Sequence, residues 1–105
     1  MTRIYISGPI TGTTDYLARF DQAEEDLKET FGDKIVIFNP ARVNNGMPKQ
    51  TTYEQYMTIS FALMDMCGAI YLLNGWEDSK GCNREYGYAL GKDMIILFQM
   101  KRKYR

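Results

Sequence analysis

A chain of 105 residues with 13 basic and 13 acidic side chains and no histidine already narrows the chemistry open to it. The length suits one domain, and the lack of imidazole excludes Ser-His-Asp and Cys-His catalysis and histidine-bearing zinc sites, which leaves acid–base work to a carboxylate, Tyr or Lys. There is no apolar run long enough to span a bilayer and no signal-peptide layout in "MTRIYISGP", and Cys67 and Cys82 are too few for a disulfide framework, so a cytoplasmic setting with reduced thiols is expected.

The first element is "RIYIS" (3–7), an apolar, β-branched and aromatic run ended by Gly8-Pro9, which reads as a buried strand. In "TTDYLARFDQAEEDLKETFG", Leu17, Phe20, Ala23 or Glu24, Leu27 and Phe31 recur every three or four residues. That spacing predicts an amphipathic helix capped by Thr13 or Thr14 and stopped near Gly32. "KIVIFNP" (34–40) predicts a second strand broken by Asn39-Pro40, and "ARVNNGMPKQ" reads as a loop. "TTYEQYMTISFALMDM" predicts a second helix with Tyr53, Tyr56 or Met57, Ser60, Leu63 and Cys67 along one side. "GAIYLL" (68–73) is a third strand, the segment around Glu85 a third helix, and "DMIILF" (93–98) a fourth strand. Residues 1–100 thus form one domain, and the tail "KRKYR" (101–105) holds four of the 13 basic residues. Without the tail, nine basic residues face 13 acidic ones, a net charge of −4, which argues against a surface for duplex nucleic acid. The tail itself reads as a solvated end, with nucleic acid or lipid contact as the alternative.

Alternation of strands and helices implies an α/β fold, a flavodoxin- or Rossmann-like three-layer domain with a four-stranded parallel sheet. Near-continuous apolar strands fit a sheet covered on both faces. Right-handed crossovers give the order 2-1-3-4, with the first helix on one face and the other two opposite. No final helix then covers strands 3 and 4 on the first helix's side, so a homodimer or higher homo-oligomer is expected there.

Ligands of open parallel sheets bind at the strands' carboxyl ends, at the switch point, here between strands 1 and 3. The loops at that point are "SGPITGTTD" (7–15) and "NGWEDSKGCN" (74–83), both rich in Gly and small hydroxyl residues and both running into helix N-termini that suit phosphate. Neither is a G-x-G-x-x-G or a Walker loop. The plainer reading is that Gly8 and Gly12 allow a tight turn. Glu85 has two readings as well. Near a helix N-terminus it is a favourable dipole partner; beside Tyr86, Tyr88, Trp76 and Ser79 at a ligand-facing strand end it is a candidate nucleophile.

The segments "IYISGPITG" (4–12), "FNP" (38–40), "CGAIYLLNGWEDSKGCNRE" (67–85) and "GYALGKDMIIL" (87–97) together resemble the nucleoside 2-deoxyribosyltransferase-like proteins, closest to a small bacterial and phage subgroup. The resemblance implies a small flavodoxin-like oligomeric domain. It implies cleavage or transfer of the N-glycosidic bond of 2′-deoxynucleosides or their 5′-monophosphates, without metal or other cofactor. Glu85 matches the nucleophile that attacks C1′, Tyr5 the tyrosine that holds it, and Ser79 a serine that holds the 5′-phosphate. Gly8, Pro9, Thr11, Gly12, Trp76, Gly81 and Asn83 fall in the matching loops. Where the family carries an aspartate that assists protonation of the leaving base, this chain has Ser60. Asp65 lies five residues on, about 140° round a helix, and does not replace it. Asp78 on the second loop, or Asp15, is the candidate substitute. The alternative is a nucleotide-binding protein, a sensor or sequestering agent, with weak or no turnover. A protein-interaction module built on the eight Tyr and seven Met residues is a third reading.

Overall fold

The computed structural model describes residues 1–100; the basic tail expected at 101–105 lies outside them. The elements are β1 (Thr2–Ser7), α1 (Tyr16–Phe31), β2 (Ile35–Phe38), α2 (Pro40–Asn45), α3 (Tyr53–Met64), β3 (Ala69–Leu72), α4 (Lys80–Gly91) and β4 (Ile95–Phe98), with 3-10 turns at Gly32–Lys34 and Trp76–Asp78. The four strands form one parallel sheet in the order β2-β1-β3-β4.

Side-chain alternation splits the sheet into two apolar layers. Ile4 and Ile6 of β1 join Phe20, Ala23 and Leu27 of α1 on one face. Tyr5 of β1 with Ile70 and Leu72 of β3 faces Met64 of α3 and Ala89 of α4 on the other. Burying each such side chain stabilises the fold by about 1.5–3 kcal/mol, so both layers are needed in a chain this short. The central strands are the best covered: the last four residues of β1 are buried throughout, whereas Ile95 and Phe98 of the edge strand β4 are more than half exposed.

Two details depart from the sequence reading. Residues 41–45, expected as loop, form the short helix α2 together with Pro40. Asn39 accepts from the Ala41 amide at 3.1 Å and Pro40 occupies the first turn, so the dipeptide that ends β2 also starts a helix. The cap of α1 is Asp15, without a side-chain hydrogen bond, rather than Thr13 or Thr14; the Thr13 hydroxyl donates instead to the Ile10 carbonyl at 2.9 Å. Gly12 turns that loop with a φ of 81°, a conformation that favours glycine.

The sheet face beside α1 is incompletely covered. Register places Tyr71 opposite Leu97 and Ala69 opposite Ile95. Tyr71 and Leu97 are half-buried and Ile95 is 58% exposed.

Candidate active site

The period of two along β1 sends Tyr5 and Ser7 to the same face of the sheet, both fully buried. On α4 the buried stripe is Cys82, Glu85 and Ala89, spaced as a helix requires to face the sheet. The two patterns meet at one carboxylate. The Tyr5 hydroxyl donates to Glu85 Oε2 at 2.7 Å and the Ser7 hydroxyl donates to Oε1 at 2.6 Å. Both distances suit charge-assisted O–H···O bonds.

Glu85 is 7% exposed. Burial holds its carboxyl above the usual range, and the hydrogen bonds from the Ser7 and Tyr5 hydroxyls pull it back toward ionisation. Tyr5 is pushed well above the ordinary phenol range, first by burial and then by the negative charge of Glu85, so it remains a donor. Burial also raises the Cys82 thiol, which makes it a poor thiolate nucleophile despite its place in the site wall. The favourable-dipole reading does not describe Glu85, because a carboxylate serving only the helix end has no need of burial or of two hydroxyl donors from another strand.

The carboxylate lies in the wall of a cavity of about 200 Å³, which Tyr16, Asn44, Tyr53, Tyr56, Met57, Ser60, Ser79 and Gly81 also line. That volume is below the roughly 300–1,000 Å³ of typical ligand pockets. A shallower groove of about 550 Å³ adjoins it, lined by Pro9, Gly75, Asp78 and Lys80 and sharing Thr11, Tyr53, Ser79 and Gly81 with it. Ser79 caps α4, its hydroxyl oxygen accepting from the Cys82 amide at 3.2 Å. The amides of Lys80 and Gly81, in the helix's first turn, therefore stand beside the groove with the positive end of the helix dipole. The Lys80 ammonium lies 5.3 Å from the Tyr53 ring centroid and the Arg84 guanidinium 5.6 Å from it, with Arg84 also paired to Glu54 at 2.9 Å. The mouth of the site thus sets the Lys80 ammonium and the Asp78 carboxylate beside the Tyr53 ring.

The structure gathers Tyr5, Gly8, Thr11, Ser60, Ser79, Gly81 and Glu85 of the sequence-derived set around these cavities. Gly8 is required sterically, since a Cβ there would meet Leu73 Cδ1 at 2.6 Å and Phe20 Cε1 at 3.1 Å. Pro9 and Asp78 line only the outer groove, and Asp78 is exposed there, away from the cavity that holds Glu85. Three residues serve the frame instead. Gly12 turns its loop. The Asn83 side-chain amide donates to the carbonyls of Glu77 at 2.9 Å and Ser79 at 2.8 Å and so pins the 3-10 turn. Trp76, also in the candidate site loop, packs its ring 4.9 Å from Tyr86 and 6.0 Å from Phe98, away from the cavity.

Sequence reasoning missed Ser7, Asn44 and the role of Tyr53, Tyr56 and Met57. Ser7 was available from the period of two that relates it to Tyr5. The spacing puts Tyr53 and Tyr56 or Met57 along one side of α3 without saying what that side meets, and Asn44 lies in a segment whose turn signals point to a loop. Among the described residues, no group of three or more Cys, Asp or Glu side chains is placed to hold a metal ion, and no helix is long and apolar enough to cross a membrane.

No curated protein and no solved structure matches the chain. Residues 2–98 match the family described as "Domain of unknown function (DUF4406)". With nearly the whole of the described fold inside that match, and the Glu85 cluster with it, the chain belongs to the DUF4406 family.

Proposed function

We propose that the protein cleaves or transfers the N-glycosidic bond of 2′-deoxynucleosides or their 5′-monophosphates, with Glu85 as nucleophile. The observation that carries this reading is a buried carboxylate in a cavity wall, each oxygen held by a hydroxyl of β1. A Glu85 oxygen attacks C1′ on the face opposite the base. The C1′–N bond breaks with its electron pair going to the base, and a glycosyl ester forms. The departing base takes up a proton from solvent; water or a second base then attacks C1′ and gives a proton back to solvent, the ester C–O bond breaks, and the carboxylate is restored. A 2-deoxyribose lacks the electron-withdrawing 2′-hydroxyl, so its oxocarbenium-like transition state forms more readily and modest machinery suffices. Tyr5 and Ser7 orient the attacking group. The first turn of α4 with Lys80 suits a 5′-phosphate, and Tyr53 and Tyr56 offer faces for a base.

Among the described residues, Glu85 is the sole carboxylate in the lining of the inner cavity, and Ser60 stands where the resembling family has its acid. A serine is a poor proton donor to a leaving base near neutral pH. This favours a second reading: slow turnover, or nucleotide binding alone. We further propose a cytoplasmic protein that pairs with a second copy through the sheet face at Tyr71, Ile95 and Leu97.

The test is incubation with the four deoxynucleosides and their 5′-monophosphates, with free base followed by chromatography and Glu85→Ala as control. Base release that the variant abolishes supports the glycosidic reaction. No release together with saturable nucleotide binding selects the second reading. No binding at all refutes both.

A further inference from the structure

Beside the main cavity lies a smaller chamber of about 20 Å³, bounded by Tyr5, Phe20, Pro40, Asn44, Ser60 and Glu85. A chamber must offer roughly 10–15 Å³ to admit one water, so this one has room for a single water and nothing larger. Its apolar side is closed by Phe20 and Pro40; its polar side has unused hydrogen-bonding capacity. Asn44 Oδ1 is buried and has no hydrogen-bond partner among the described residues. Buried acceptors of this kind are almost always paired in native proteins, to protein or to ordered water. Each Glu85 oxygen accepts one hydroxyl and has room for a second bond. Ser60 brings an O–H donor.

We infer that this chamber is a binding site for one structural water, which donates to Asn44 Oδ1 and to the Glu85 carboxylate and accepts from the Ser60 hydroxyl. The count balances, because a water has two protons to give and accepts readily from a third partner. Two observations support it independently: the size of the chamber and the unpaired Asn44 oxygen. The water gives Glu85 a third donor beyond Tyr5 and Ser7. It also gives Ser60 a role that needs no acidity, as an anchor for that donor. Asn44 becomes a positioning residue, acting on the nucleophile through the water and tying α2 to the site. The site stands on this geometry alone; its catalytic value, keeping the carboxylate charged until attack, rests on the reaction proposed above.

The test pairs a high-resolution crystal structure with a carbon-13 NMR titration of the Glu85 side-chain carboxyl, in the wild type, Asn44→Leu and Ser60→Ala. We expect one density peak within hydrogen-bond distance of Asn44, Ser60 and Glu85 in the wild type. Asn44→Leu should lose it, and the Glu85 midpoint should move to higher pH in both variants. Ser60→Ala keeps the measurement alive if Asn44→Leu does not fold. No density in the wild-type chamber overturns the inference, and so does a midpoint unmoved after the water is lost. Neither readout uses a substrate. A protein that shows the water and the shift but releases no base sinks the glycosidic reaction and leaves this site in place.

Discussion

Replacing Glu85 by Gln should make the protein more stable at neutral pH, not less. The change keeps volume and shape. The amide oxygen still accepts from one hydroxyl, and the amide nitrogen donates to the other, whose proton rotates away. Two effects oppose each other in the wild type. The hydroxyls of Tyr5 and Ser7, at 2.7 and 2.6 Å, each favour the charged group by about 1.5–3 kcal/mol. Removing a carboxylate from water costs several kcal/mol. Burial prevails, because the carboxyl is raised above its ordinary value despite its donors. The folded state therefore keeps the proton at pH values where the unfolded chain has released it. This contribution to stability is fully present below the unfolded value of about 4.3 and is lost as pH rises through the folded one. Each factor of ten in proton affinity is worth about 1.4 kcal/mol. Glu85→Gln should therefore melt higher than the wild type at pH 7, each 1 kcal/mol gained counting for roughly 4–8 °C in a domain of this size. The assay is thermal unfolding followed by circular dichroism from pH 4 to 8 for both proteins. The gap should shrink as pH falls and close near pH 4. A variant that melts below the wild type at pH 7, or a gap that does not depend on pH, refutes the reasoning. The outcome would also identify Glu85 as a group held at a cost to stability, as functional groups commonly are.

Four further outcomes follow from the same geometry. Tyr5→Phe removes a donor from Oε2 and should move the Glu85 carboxyl titration to higher pH, with any base release shifting its acid limb the same way; an unmoved midpoint refutes the clamp. Ser60→Asp should increase base release by on the order of 10²-fold if a missing general acid limits the rate; unchanged release would place the limitation elsewhere. Gly8→Ala sets a methyl 2.6 Å from Leu73 Cδ1 and should destabilise by about 1–3 kcal/mol in denaturant unfolding, whereas a neutral result would show that Leu73 and Phe20 yield easily. Burial pushes the Cys67 thiol up to about 11 and raises Cys82, so both should react with a thiol reagent at pH 7.5 far more slowly in the native than in the unfolded protein.

The architecture was legible because its strands are short apolar runs separated by charged, periodic helices. Few topologies fit that alternation once crossovers are right-handed. Glu85 was legible because it stands at a helix start beyond a ligand-facing strand end. Its partners were less so. Tyr5 rests on a resemblance, and Ser7, although inside the strand predicted over 3–7, stands out only once the period of two is followed on from Tyr5. Asn39-Pro40 carries two meanings, strand stop and helix start, and the sequence does not rank them. Reading it as a stop concealed α2 and with it Asn44. Trp76 and Asn83 sit in a loop whose outward and inward faces no periodicity separates, so a residue that pins a turn and one that meets a ligand look alike there.

The clamp donors ride on β1, which with β3 is one of the two strands bonded to neighbours on both sides. A strand in that position opens only when most of the molecule does, so its amides should exchange with solvent among the slowest in the chain. The groove at the mouth, by contrast, is built from loop residues and the first turns of α3 and α4. Entry and exit can therefore proceed through local opening at the rim while the floor stays still. Adaptation to a new ligand at the rim is likewise separable from the carboxylate beneath it.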